Sequence, residues 1–181
     1  MRFTALALAL ALPLSLPVAG LAAGGDTTTP PKPSDTTKEC WGKRVWDDEA
    51  KKCVKPEESS LNGQELLETA RELAYLERFD DAQAVLAAHP VQTDSGVLTY
   101  WGFTHRKLGR SDIAMDYYTR AIAQNPDNIL ARSYMAQGFV ETGEYAKALA
   151  EWKEIKTRGG EGTWAETSLR HAIQTGVTVN Y

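Results

Sequence analysis

The residues from which catalytic and metal sites are usually built are scarce in this chain. Only three histidines and two cysteines occur among its 181 residues. His89, His105 and His171 fall on different predicted elements, and no Ser/His/Asp, Cys/His or metal-ligand spacing connects them. We therefore predict a protein that is not an enzyme and that uses neither a metal ion nor a cofactor.

Long runs of positive charge are also missing. The chain has 20 Lys and Arg residues against 24 Asp and Glu residues, which gives a formal net charge of -4. A nucleic-acid-binding protein needs a basic patch that neutralises phosphates. We therefore predict no nucleic-acid partner. The length and the apolar fraction of 43% fit one globular domain with appended segments.

The only long apolar run lies at the N-terminus. Arg2 precedes the apolar residues 3–16, and small residues follow in 18–23. This layout predicts a cleaved signal peptide over residues 1–23. A retained membrane anchor is the alternative, but Pro13 and Pro17 interrupt the run, which is shorter than the ~20 residues of a spanning helix. We predict an exported protein, periplasmic or secreted, with no membrane span after cleavage.

Residues 24–39 are rich in proline and threonine and contain no large apolar side chain. Such a segment cannot offset its ordering entropy, so we predict a disordered tether. Its Pro-Pro-Lys-Pro core favours an extended spacer. A ligand for a proline-binding groove is a second interpretation of the same composition.

Cys40 and Cys53 are predicted to pair, because thiols outside the cytoplasm tend to be oxidised. β-Branched and aromatic residues flank the polar turn at 47–49, which predicts a stapled β-hairpin over residues 40–55. A redox pair usually has a Cys-x-x-Cys spacing, and a zinc site needs four ligands, so both fit less well.

The pattern of Cys40, Gly42, Trp46-Asp47 and Cys53 resembles small cysteine-stapled modules of secreted proteins, some of which bind glycans. The resemblance implies possible contact of this hairpin with the cell wall. Trp41 and Trp46 either stack on a sugar or dock on the rest of the protein. We expect docking, because exposed apolar surface is usually covered.

A helical period begins after residue 60. Asn62 and Glu65 predict a capping box for the first helix, and Thr163 and Glu166 predict another for the last. Breaks at glycine, proline and asparagine predict seven helices. The first is predicted over residues 63–77, the second ends before Pro90, the third covers residues 95–107, and the fourth runs from 111 to the break at 125–127. The fifth ends at 142, the sixth ends before 159, and the seventh begins at 163.

Residues 95–158 nearly repeat themselves at an interval of 34 residues. The recurring positions are a glycine (Gly109 and Gly143), an alanine (Ala114 and Ala148) and an aromatic ring (Tyr118 and Trp152). A period of this length is typical of a solenoid, in which each short unit buries its apolar face against its neighbours.

The unit resembles the tetratricopeptide repeat (TPR), a 34-residue helix-turn-helix. Matching positions are Trp101-Gly102, Gly109, Ala114, Tyr118, Ala121 and Pro126 in residues 95–128, and Met135-Ala136, Gly143, Tyr145, Ala148 and Trp152 in residues 129–162. Ile155 and Gly160 depart from the pattern, and a degenerate unit over 63–94 keeps Ala70, residues 79–82 and Leu86. In this repeat His105 takes a helix-packing position.

The resemblance implies an all-α fold after the hairpin. We expect a right-handed helix-turn-helix solenoid of about three units plus a C-terminal capping helix over residues 61–176, followed by a tail at 177–181. It also implies a concave groove lined by the first helix of each unit: Leu67, Arg71 and Tyr75, then Thr99, Phe103, Arg106 and Lys107, then Ser133, Gln137 and Glu141. A solvated helix face is the plainer interpretation of the same residues.

Two functions follow as expectations. The first is an exported adaptor that binds a partner protein in this groove, which is modestly basic with aromatic faces and suits an acidic or amphipathic peptide. The second is an envelope protein whose hairpin binds cell-wall glycan, with the helices as a platform for oligomerisation.

Overall fold

The computed structural model describes residues 30–179, which are mostly helical. The elements are α1 (Asp35–Glu39), β1 (Val45–Asp47), β2 (Lys52–Val54), a 3-10 turn (Pro56–Glu58), α2 (Gly63–Tyr75), α3 (Phe79–Ala88), α4 (Ser95–Lys107), α5 (Ser111–Gln124), α6 (Ile129–Glu141), α7 (Tyr145–Thr157) and α8 (Trp164–Thr175). The signal peptide expected over residues 1–23 and the start of the tether lie outside the described residues.

The hairpin forms as predicted. β1 and β2 pair antiparallel, with Val45 opposite Val54 and Trp46 opposite Cys53. Cys40 and Cys53 are joined by a disulfide, which confirms the predicted pairing. Val45 is fully buried and belongs to the same apolar cluster as Leu66 of α2, so the hairpin packs on the helices.

The disordered tether predicted for residues 24–39 is wrong for residues 35–39, which form α1. The backbone N–H of Ser34 donates to a carboxylate oxygen of Glu72 on α2 at 2.6 Å, and the Thr37 hydroxyl donates to the same oxygen. Thr36 is buried, and its Oγ1 accepts a hydrogen bond from the Trp46 N–H at 2.9 Å. The segment is ordered because it satisfies the buried carboxylate of Glu72.

The seven helices after residue 60 pack in pairs that follow the chain. α2 packs on α3, α4 on α5, and α6 on α7. Successive pairs meet through α3–α4 and α5–α6, and also through α2–α4 and α4–α6. α8 packs on both α6 and α7, and more extensively on α6. As a result α6 is enclosed, and residues 130–138 are all buried.

The three pairs share one type of turn. Glu77, Gly109 and Gly143 have left-handed backbones with φ of 59°, 74° and 78°. The next residue then donates back to the fifth preceding carbonyl, in the bonds Arg78 N to Leu73 O, Arg110 N to His105 O, and Glu144 N to Phe139 O. These are Schellman closures. Glycine adopts this geometry easily and glutamate does not. The α2–α3 pair therefore has the same backbone turn as the other two pairs, although its sequence has glutamate where they have glycine.

Helices α4 and α5 approach closely at Gly102. A Cβ added at Gly102 would lie 2.6 Å from ring carbons of Tyr118, which is fully buried. The absence of a side chain at Gly102 therefore makes room for the Tyr118 ring. Ala114 is itself fully buried, like the equivalent Ala148.

We expect Gly102→Ala to lower the free energy of unfolding by up to about 2 kcal/mol, because overpacking costs roughly 1–3 kcal/mol and helix propensity returns ~1 kcal/mol. Urea unfolding measures the change. Gly138→Ala is the matched control, since its Cβ would meet the terminal methyl of Met115 and the flexible stem of Arg106. Equal losses in the two variants would contradict the packing described here.

Candidate functional site

The structure divides the ten predicted groove residues into two sets. Five are buried: Thr99, Phe103, Arg106, Ser133 and Gln137. Five remain accessible: Leu67, Arg71, Tyr75 and Lys107 are half-buried, and Glu141 is exposed. The buried set is part of the packing in this structure, so it does not line an open groove.

α8 covers the predicted groove face of α6. The Ser133 hydroxyl donates to the carbonyl of Ala165 on α8 at 2.6 Å. The Gln137 side-chain amide donates to the hydroxyl of Ser168, also on α8, at 3.4 Å. Small polar side chains on a helix suggest a solvated face, but here their partners come from the next helix. The predicted capping helix therefore fills the position where we expected a groove.

Phe103 lies within an aromatic cluster. Its ring centroid is 4.7 Å from that of Tyr134, 6.2 Å from that of Phe79 and 6.3 Å from that of Tyr100. These rings come from α3, α4 and α6 and join successive helix pairs. The role of Phe103 in this structure is packing between units.

Arg106 is a buried cation whose Nη1 donates to the Glu141 carboxylate. The Arg106 side chain is 1% exposed and that of Glu141 is 35% exposed. The Thr178 hydroxyl donates to the same carboxylate oxygen at 2.7 Å, which attaches the tail to α6. Burial, with the charge of Arg106 as the second cause, lowers the pKa of Lys107. Burial raises the pKa of nearby Tyr118 to about 12.

The three histidines do not converge. His105 stacks on Trp101 and Tyr117 at 5.8 and 5.5 Å, and burial followed by the charge of Arg110 lowers its pKa. His105 therefore packs between α4 and α5, as the repeat implied. Within residues 30–179, no group of three or more His, Cys, Asp or Glu residues is placed to hold a metal ion. None of the helices in that range is long and apolar enough to cross a membrane.

Trp41 is the most exposed large apolar side chain described, at 85%. The expectation that it docks on the helices is wrong. Trp46 is half-buried, and its indole N–H donates to Asp48 at 3.1 Å. The two tryptophans differ because Trp46 lies on β1, whereas Trp41 lies in the loop that precedes this strand.

The loop that carries Trp41 is fixed on both sides. Cys40 is buried and held by the disulfide. Gly42 has a left-handed backbone, with φ of 64°. The Gly42 carbonyl accepts hydrogen bonds from the Arg44 N–H at 2.7 Å and from the Arg78 side chain at 3.2 Å. The backbone around the exposed indole is therefore held in place by the hairpin and by the start of α3.

An open depression of about 460 Å³ lies beside Trp41. It runs from the hairpin across the 3-10 turn to α3. Its walls carry one aromatic ring and four charged side chains: Trp41, Lys43, Arg44, Lys55 and Glu57. The depression thus brings an exposed ring and several cations together around a concavity.

Asp47 anchors the hairpin to the segment that leads into α2. Its carboxylate accepts hydrogen bonds from the Ala50 N–H at 2.7 Å and the Ser60 N–H at 2.6 Å. These backbone donors hold the pKa of Asp47 below its usual range. The carboxylate therefore stays ionised at neutral pH, and its contribution to stability is lost only as the pH falls through this lowered pKa.

Comparisons of the chain with protein-family models, with curated proteins and with solved structures gave no match. The candidate site therefore stands on geometry and chemistry alone. Sequence reasoning had singled out the hairpin and its tryptophans but had missed the depression. A signal was present, because Trp41 stands two residues before a Lys-Arg pair and a further lysine follows the second cysteine.

Proposed function

We propose that the protein is an exported, non-enzymatic envelope protein in which a TPR-like solenoid carries a disulfide-stapled hairpin, and that the hairpin binds cell-wall glycan. The single observation that carries this proposal is the 85% exposure of Trp41 in a fixed loop. A large apolar side chain held in solvent by a rigid backbone is suited to binding, because little ordering entropy is lost when a ligand stacks on it.

The scaffold part of the proposal rests on the helix pairs. Three consecutive pairs have the same Schellman closure, and α8 covers the last pair as a capping repeat does. We infer a right-handed stack from the resemblance to the tetratricopeptide repeat. Export is supported by the N-terminal pattern in residues 1–23 and by the disulfide, since such bonds persist mainly in oxidising compartments.

Trp41→Ala is expected to weaken sedimentation with purified, insoluble cell-wall glycan at least tenfold, about 1.4 kcal/mol in binding free energy. The reason is loss of the stacking surface without disturbance of the core. The measurement is the fraction of protein that pellets with increasing glycan. Tyr145→Ala is the matched control, because Tyr145 is an exposed aromatic residue, at 42%, on α7. Failure of the unmodified protein to pellet, or equal pelleting of Trp41→Ala, would overturn the proposal.

An adaptor that binds a partner peptide is the second candidate. Its support is the accessible part of the predicted groove, where Arg71, Tyr75 and Lys107 are half-buried. Crosslinking in the native envelope followed by mass spectrometry tests this candidate. A protein crosslink that Lys107→Glu abolishes and Trp41→Ala leaves intact favours the adaptor. Arg106 is left unchanged because its burial would confuse binding with folding.

A further inference from the structure

We propose that the glycan bound beside Trp41 is anionic, and that Lys43, Arg44 and Lys55 recognise its carboxylate or phosphate groups. This inference rests on the proposed function of the hairpin and names the chemical class of its ligand. The observation behind it is the juxtaposition of one exposed indole and three cations around a single depression.

The local charge of the depression is opposite to that of the whole protein. The chain carries a formal net charge of -4. The depression has Lys43, Arg44 and Lys55 on its walls, with Glu57 as the single acidic side chain among its lining residues. Cations placed around a concavity raise the local concentration of anionic ligands. A neutral glycan can accept hydrogen bonds from these side chains but gains nothing from their charge.

The cations are available to a ligand. Within residues 30–179, neither Lys43 nor Arg44 forms an ion pair, and both are exposed. Lys55 pairs with Glu58 at 3.4 Å, with about three fifths of each side chain in solvent. An exposed pair of this kind is weak and readily exchanged for a ligand. Lysine donates from a flexible point charge, whereas arginine can hold a carboxylate or phosphate with two parallel bonds.

The depression also has apolar lining residues beside its cations. Pro56, which is buried, and Ala84 of α3 line the depression together with Trp41 and add apolar surface to it. A pyranose ring has apolar C–H faces that stack on an indole, while its acidic substituents project from the ring edge. We therefore expect one sugar to stack on Trp41 while its acidic substituents pair with the cations.

The test uses soluble polymers of defined chemistry with the full chain. Polygalacturonate carries one carboxylate on each sugar, and its carboxyl-reduced form has the same backbone without charge. Dextran phosphate offers phosphate on sugar, and poly-glutamate offers carboxylates without sugar rings. We expect polygalacturonate to bind at least tenfold more tightly than its carboxyl-reduced form and than poly-glutamate, with a salt dependence that the neutral polymer lacks. Comparison with dextran phosphate shows which anionic group is preferred.

Matched variants assign the effect to the depression. Lys43→Gln with Arg44→Gln is expected to weaken polygalacturonate binding at least tenfold. Lys51→Gln with Lys52→Gln removes the same charge from the same hairpin, outside the depression, and should leave binding within twofold. Loss in both pairs of variants, equal binding of the reduced polymer, or poly-glutamate binding as tight as that of polygalacturonate overturns the inference.

Failure of this inference is distinct from failure of the proposed function. If neutral and acidic polymers bind with equal affinity and Trp41→Ala abolishes the binding of both, the hairpin still binds glycan. Only the inference that the glycan is anionic is then overturned. Absence of any Trp41-dependent binding to polymers and to cell-wall glycan overturns both.

Discussion

Arg106→Glu is expected to lower the free energy of unfolding by about 3–5 kcal/mol, the usual cost of leaving an uncompensated charge at a buried position. The Arg106 side chain is 1% exposed and donates to Glu141. A glutamate there would place a second carboxylate opposite the first, in a position that water cannot reach. Chemical denaturation followed by far-ultraviolet circular dichroism measures the loss, because α4 and α6 are helical.

Two controls separate charge from packing. Arg106→Met keeps an apolar stem and leaves Glu141 partly solvated, so its loss should be clearly smaller than that of Arg106→Glu. Arg120→Glu breaks the exposed pair with Asp116, whose side chains are 49% and 64% exposed, and should change stability by about 1 kcal/mol or less. If the loss in Arg106→Glu lay within 1 kcal/mol of the loss in Arg120→Glu, the burial of Arg106 described here would be wrong.

Local sequence rules predicted the helices well. The helix predicted over residues 95–107 is α4, Ser95–Lys107. The capping box of Asn62 and Glu65 is present at the start of α2, with both of its hydrogen bonds. Thr163 caps α8 by accepting from the Glu166 N–H at 3.3 Å. These features depend on residues three or four positions apart, so they can be read from the sequence alone.

Features that depend on distant partners were missed. α1 is ordered by Glu72, which lies 38 residues after Ser34. Ser133 and Gln137 resemble solvated positions, yet α8 lies over them and supplies hydrogen-bond partners 31 and 32 residues away. No local pattern contains such information. The repeat predicted which helices pair but not which faces the terminal helix would bury.

Trp41 shows a different failure of prediction. Large aromatic residues are usually covered, and that general tendency predicted docking. The exposure of Trp41 follows instead from the direction of a short loop, which the disulfide at Cys40 and the hydrogen bonds to the Gly42 carbonyl determine. The residue that departs most from expectation is thus the centre of the candidate site, which accords with the rule that such departures occur at functional positions.

Replacement of both cysteines by serine is expected to destabilise the hairpin by roughly 3 kcal/mol, the chain-entropy value for a loop of about this size. β1 and β2 are three residues each, and two-stranded hairpins of this kind are marginal in water. Val45 and Asp47 still attach the hairpin to the rest of the protein, so the helices should remain folded. Amide hydrogen exchange of β1 and β2 at increasing guanidinium concentration reports the hairpin, and circular dichroism reports the helices.

A reductant supplies the matched control for Cys40→Ser with Cys53→Ser. It should shift the unmodified protein to the behaviour of the double variant and leave that variant unchanged. Loss of the disulfide should also weaken binding to cell-wall glycan although Trp41 is still present, because the disulfide holds the backbone on one side of the indole. A variant with an unaltered hairpin transition and unaltered binding would show that Val45, Asp47 and the Arg78 contact to Gly42 are sufficient to fix the loop. The expectation that the disulfide preorganises the site would then be wrong.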